Sequence, residues 1–266
     1  MDGAKRIPIT YGSYLRIPEL LSLQRPVSDG PEHDEMLFIV IHQVYELWFR
    51  QQIHEGTHLR DALVQGDLAT SAATLRRMLV ILKTMVAQVD VLETMTPVQF
   101  LSFRSFLESA SGFQSWQFRA FEFLLGKKNP RVLGLQAEGS PERRALEDAF
   151  RAPTVWDAFA RALGRHGIAV PESVLGRDVT QPVAADPDMP ATLMGVYRSH
   201  PALRDLCERL IDLDEGVQEW RYRHVKMVER TIGFKQGTGG SAGAEYLRTT
   251  LFTPLYPDLW AIRTAL

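Results

Sequence analysis

The chain has 266 residues, with 30 Lys and Arg against 32 Asp and Glu and a formal charge of −2, a balance that excludes the basic footprint of a nucleic-acid binder or of a protein held on anionic lipid. Its one cysteine, Cys207, excludes an intrachain disulfide framework, a cysteine-built zinc site and a cysteine-ligated iron–sulfur cluster held by one chain. The longest unbroken apolar run, 36–41, is far short of a membrane span, and the start MDGAKRIPIT lacks a signal-peptide core; small-molecule chemistry in a reducing, cytoplasmic setting is the expectation.

The first feature along the chain is TYGSYLRIPELLSLQ, in which Tyr11, Tyr14 and Leu15 form an apolar cluster too short to build its own core. It must pack on another surface, of the same chain or of a neighbour. Over 34–63, Leu37, Phe38, Ile41, Tyr45, Trp48 and Phe49 recur at helical spacing, with Asp34 and Glu35 suited to the positive end of a helix dipole. A second helix is predicted over 68–92 from Leu75, Met78, Leu79, Leu82 and Met85, and a third begins near Pro97, a residue tolerated in a first turn. That third stretch breaks at Ser109, Ala110, Ser111 and Gly112 and resumes over 113–125. A bend there puts small residues and free backbone amides beside a cavity.

A polar connector over 126–143 leads to two shorter helices, 141–150 and 155–164, and then to a Pro- and Asp-rich stretch over 170–190. From 203 to 232 another long pattern carries Trp220, His224 and Val228 on one face. It runs into the glycine-rich GTGGSAG, whose glycines accept backbone angles closed to other residues and let main-chain amides approach a ligand. Strand signals are nearly absent, and neither connector separates helices that could stand alone. The expectation is an all-α bundle forming a single domain over 1–266, with 1–27 as a packing segment.

Several residues carry chemistry. A neutral His224 on an apolar helical face suits an axial ligand to haem iron, its other ring nitrogen then donating to a carbonyl or water; a core histidine satisfied by a local hydrogen bond fits the same pattern. His42 lies one turn after Phe38, so a neutral imidazole there is able to accept an N–H beside an aromatic wall, or simply to be buried and satisfied. Phe100 and Arg104 are likewise one turn apart, and Arg104 offers a bidentate fork to a carboxylate, although a lone arginine near a helix start is often just solvated. Thr238 places a hydroxyl between glycines, suited to the polar end of an amino acid. Gly237, Gly239 and Ala242 also match a loose dinucleotide fingerprint, which needs a preceding strand where this chain has a helix. His54, Glu55 and His58 spell HExxH, the zinc-hydrolase signature, but Gly56 weakens the helix that presents them and no third ligand follows at the metzincin spacing. His33, His166 and His200 read as surface residues. Arg221, Arg223, Lys226 and Arg230 read as a solvated face from which one or two reach anionic groups of a cofactor.

Three segments, FIVIHQVYELWFR, FRSFLESASGFQSWQFR and HVKMVERTIGFKQGTGGSAG, together resemble the tryptophan 2,3-dioxygenases over residues 10–259. The resemblance implies one haem b per subunit, active as Fe(II) with His224 as its axial ligand, and L-tryptophan and O2 as substrates. It assigns His42 and Phe38 to the indole, Arg104 and Thr238 to the amino-acid end, and Ser111 and Gly112 to the pocket wall. Phe100 stands where some members have tyrosine, so one hydroxyl contact to the carboxylate is missing. The family is homotetrameric, and TYGSYL matches the segment that completes a neighbour's site through Tyr11, Tyr14 and Leu15. The alternatives are a related haem monooxygenase acting on a simple indole, a haem carrier without turnover, and zinc hydrolysis through His54, Glu55 and His58.

Overall fold

The computed structural model describes residues 8–233, 235 and 244–266. Among them the regular structure is helical: α1 (Tyr11–Tyr14), α2 (Ile17–Leu20), α3 (His33–Gln65), α4 (Leu68–Leu92), α5 (Pro97–Phe103), α6 (Trp116–Leu125), α7 (Pro141–Arg151), α8 (Val155–Arg165), α9 (Glu172–Leu175), α10 (Met189–Ser199), α11 (Pro201–Ile232), α12 (Ala244–Arg248) and α13 (Pro257–Ala261), with short 3-10 turns between. The all-α expectation holds. At 33 and 32 residues, α3 and α11 are each about 50 Å long, and α4 lies between them, packed against both.

The α3–α4 corner is tight because Gly66 takes a left-handed conformation (φ 76°) that ends α3, while the next residue, Asp67, caps α4 by accepting from Thr70 N at 3.0 Å. Glu35 does more than face the α3 dipole. Its carboxylate reaches back to accept Val27 N at 2.7 Å and Ser28 N at 3.1 Å, fastening the incoming chain to the helix.

The main core is an apolar seam of α3 (Leu59, Leu63), α4 (Leu75, Met78, Leu82, Met85) and α11 (Leu206, Leu210, Leu213), closed by Trp156 and Phe159 of α8. Gly56 of α3 is a packing residue, since a Cβ there would lie 2.6 Å from Leu124 Cδ2 of α6. A smaller cluster of Met95, Phe100 and Phe103, with Leu37, Phe38 and Ile232 against it, joins α5 to α3 and α11.

Two sequence expectations need correction, and one element escaped the sequence reading. The stretch assigned to a connector over 170–190 contains α9 and runs into α10, whose Met189, Leu193, Val196 and Tyr197 are buried; Pro190 sits in its first turn, where the missing N–H costs nothing. The helix expected to resume at 113 does so at Trp116, because Gly112–Gln114 closes as a 3-10 turn and Ser115 supplies the cap by accepting from Phe118 N. Finally, α13 was not foreseen. It is held from α11 by the fully buried Asp214, whose Oδ2 accepts Leu255 N (2.8 Å), Tyr256 N (3.1 Å) and Trp260 Nε1 (2.9 Å).

Candidate active site

One cavity opens between α3, α5, α6 and α11, and most residues singled out from the sequence line it: Phe38 and His42 from α3, Phe100 and Arg104 from α5 and its end, Ser111 and Gly112 from the bend, and His224 from α11. The bend is made by Glu108, which takes φ 48° and ψ −115°, a region that L side chains seldom occupy. The chain reverses there, so Ala110, Ser111 and Gly112 face the cavity.

His42 is fixed by its own helix. Its Nδ1 lies 2.7 Å from the carbonyl oxygen of Phe38; a carbonyl only accepts, so Nδ1 carries the proton and, in the neutral ring, Nε2 keeps its lone pair. Burial lowers the basicity of His42, against the opposing pull of the Phe38 carbonyl and the Glu46 carboxylate, so the neutral form is the resting one. Phe38 packs on the imidazole at 4.1 Å between centroids and is braced by Phe103 (5.5 Å) and Phe100 (5.7 Å).

His224 faces the cavity from the other side. Its ring stacks on Trp220 at 5.3 Å and 5°, and Trp220 is caged by Phe118 (4.9 Å), Phe49 (6.1 Å) and Tyr45 (6.3 Å). Burial, with the neighbouring His42 imidazole and Arg119 guanidinium, pushes the His224 pKa down to about 4. The result is a neutral imidazole with an available lone pair. Among the described residues neither of its ring nitrogens has a hydrogen-bond partner, so the carbonyl expected for the second nitrogen is not among them.

The cavity also holds a charge cluster that sequence reading missed. Glu122 accepts from Arg221 Nη2 at 2.8 Å and Arg119 Nη1 at 2.7 Å, with Lys127 Nζ at 3.9 Å. Burial raises the Glu122 pKa, but the charges of Arg221, Arg119 and Lys127 outweigh it and hold the carboxyl below its usual range. Three positive groups on one carboxylate leave donors over: Arg119 Nε, Arg221 Nη1 and Lys127 Nζ are buried without a hydrogen-bond partner among the described residues. Arg221 is thus not on the solvated face assigned to it, being 4% exposed. Its neighbours do fit that reading, with Arg223 on Asp90 and Glu93, Lys226 on Glu229 and Arg230 on Glu93. The available signal was Arg119 and Glu122, three apart on a helix whose remaining positions are largely apolar.

The other expectations sort plainly. Glu55 is buried and taken up by Arg77 (3.0 Å) and Gln51 (2.7 Å), whereas His54 and His58 point outward; the HExxH residues do not converge, and no group of three or more His, Cys, Asp or Glu able to hold a metal occurs among the described residues. Tyr11, Tyr14 and Leu15 lie away from the cavity and are 78%, 74% and 42% exposed. Thr238 and its glycine-rich loop lie outside the described residues; Leu247 and Thr250, beyond that loop, line the cavity.

Comparison with known proteins adds a second kind of evidence. The family model described as tryptophan 2,3-dioxygenase matches residues 2–139 and 155–266. A protein named tryptophan 2,3-dioxygenase from Herpetosiphon aurantiacus is 59% identical over 258 residues, covering 97% of this chain and 98% of its own length. Proteins of the same name from Anaeromyxobacter sp. (56% identical; 99% of this chain and 98% of that protein) and Kineococcus radiotolerans (43% identical; 96% and 91%) are similar across nearly the whole chain as well.

Proposed function

The chain belongs to the tryptophan 2,3-dioxygenase family, and from that premise we propose that it is a haem-dependent enzyme that inserts both atoms of O2 across the indole C2–C3 bond of L-tryptophan, giving N-formyl-L-kynurenine, the entry step of the kynurenine pathway. The observation that carries this reading is the convergence, from separate helices, of two neutral imidazoles and one guanidinium on a single cavity: His42, His224 and Arg104.

The residues present fit a haem. His224 offers a lone pair and has no hydrogen-bond partner among the described residues, the neighbouring walls are apolar (Trp220, Val228, Val89 and Leu92), and the spare donors of Arg119 and Arg221 suit the two carboxylates of the cofactor. His224 would ligate the haem iron, and Arg119 and Arg221 would hold the carboxylates. When bound, the haem supplies the ferrous centre at which O2 is activated.

The chain's own residues do the rest by position. His42 Nε2 accepts the indole N–H, Phe38 bounds the ring, and Ser111 and Gly112 close the wall beside it. Arg104 takes the substrate carboxylate in a bidentate grip, and Thr238 is assigned to the same amino-acid end; together they distinguish tryptophan from indole. Phe100 adds apolar contact where a hydroxyl would have helped hold the carboxylate. The exposed Tyr11, Tyr14 and Leu15 support a homotetramer in which residues 1–27 of one subunit cover a neighbour's cavity and keep water from the reaction. Location in the cytoplasm is part of the same proposal; no described helix is long and apolar enough to cross a membrane.

The test is direct. Reduced, haem-loaded protein is mixed anaerobically with L-tryptophan, then with O2, while absorbance of the formylkynurenine chromophore is followed. Turnover of indole in preference to L-tryptophan would favour the monooxygenase reading, and haem-bound protein with no turnover of either would favour a carrier.

A further inference from the structure

The cavity is lined by a second carboxylate that the assignments above leave unused. Among the described residues lining it, the carboxylates are Glu46 and Glu122. Glu122 is consumed by Arg119 and Arg221. Glu46 is one helical turn beyond His42 on α3, so the two side chains project from the same face. Its position is fixed from α6: Gln117 Nε2 donates to Glu46 Oε2 at 2.9 Å and to the Glu46 backbone oxygen at 3.1 Å. A single side chain thus pins both the main chain and the carboxylate of residue 46, and does so two residues after Ser115, which itself lines the cavity.

We propose that Glu46 is a positioning residue of the reaction, acting through His42: its fixed negative charge strengthens the hydrogen bond that His42 accepts from the indole N–H as the ring is oxidised. The inference rests on the reading of His42 given above. The physical reason lies in how charge moves. As oxygen adds to C2 and C3 the indole nitrogen becomes electron-poor, its N–H becomes a better donor, and positive charge accumulates on the accepting imidazole. In a buried site that charge is poorly solvated. His42 Nδ1 already donates to the Phe38 carbonyl, so the ring is held in the required tautomer, and Glu46 is the carboxylate that opposes burial in setting its basicity. An interaction that grows along the reaction coordinate raises kcat and leaves substrate affinity nearly unchanged.

The test uses haem-loaded E46Q, H42A and the double variant, with L-tryptophan and its N1-methyl derivative, which has no N–H to donate. Glutamine at 46 retains an oxygen to accept from Gln117, so E46Q removes the charge and keeps the tie between α3 and α6. The expected result is a kcat for L-tryptophan lowered by about tenfold with KM within about twofold, haem spectrum and melting temperature unchanged, and an effect below about twofold both in the H42A background and with the N1-methyl substrate. A kcat for E46Q within twofold of wild type, or an equal loss in the H42A background, overturns the role of Glu46. If H42A itself turns over normally, His42 is not the acceptor and the inference falls together with that reading; if H42A is slow and E46Q is not, the inference falls alone.

Discussion

Replacing Asp214 by alanine removes the acceptor that holds the C-terminal segment on α11, and its cost is open to estimation from the contacts. One carboxylate oxygen takes three N–H donors, from Leu255, Tyr256 and the Trp260 indole, and the other accepts Gln218 Nε2 at 2.9 Å. Leu255 and Tyr256 are 3% and 0% exposed, so in the variant their amides lose their partner without gaining bulk water. Each such donor costs about 1–3 kcal/mol, and the desolvation that burying the charge required is recovered. The net loss is about 3–5 kcal/mol, which for a chain of this size is a fall in Tm of roughly 10 °C. Trp260→Phe removes only the indole donor, from a side chain at the edge of solvent, and is expected to cost about 1 kcal/mol. Urea unfolding followed by circular dichroism at fixed protein concentration measures both. If Asp214→Ala and Trp260→Phe fall within about 1 kcal/mol of each other, the buried amides are satisfied some other way and the clasp is not what holds this segment.

Five further outcomes are expected. His224→Ala loses haem, read as loss of the Soret band and partial recovery with free imidazole; an unchanged spectrum would remove His224 as the axial ligand. Arg104→Ala lowers kcat/KM for L-tryptophan by about a hundredfold and erodes the preference for tryptophan over indole, so a retained preference would show that Arg104 does not read the carboxylate. Gly56→Ala drives a methyl group to 2.6 Å from Leu124 and costs about 1–2 kcal/mol after the helical gain of alanine, whereas His54→Ala and His58→Ala, at exposed positions, leave stability and turnover unchanged; loss of turnover in either would revive the zinc reading. Acid sensitivity follows from Asp157: burial raises its pKa, but hydrogen bonds from Arg177 and Thr154 outweigh that and hold it below 3.8. Its contribution is therefore complete above that value and disappears as pH falls through the lower folded one, so the stability gap between wild type and Asp157→Asn, by urea midpoints, narrows between pH 6 and pH 2.

Much of the molecule was legible in the chain because its signals are local. Phe38 and His42, Phe100 and Arg104, and Trp220 and His224 are each pairs one turn apart, and helical period alone puts each pair on one face. The long helices α3, α4 and α11 announce themselves by the same period, and the small residues Ala110 to Gly112 mark the bend. What the chain could not say is which faces meet. HExxH is as regular a motif as any in the sequence, yet packing turns Glu55 inward to Arg77 and leaves His54 and His58 outside. Arg221 sits in the same basic run as Arg223 and Lys226, and only the approach of α6, which brings Glu122 across from 99 residues away, takes it out of water. The donors that hold Asp214 and Glu46 come mostly from residues distant in sequence, Leu255, Tyr256 and Trp260 for the first and Gln117 for the second. A buried charge is identified by the donors that surround it, and tertiary structure alone assembles those.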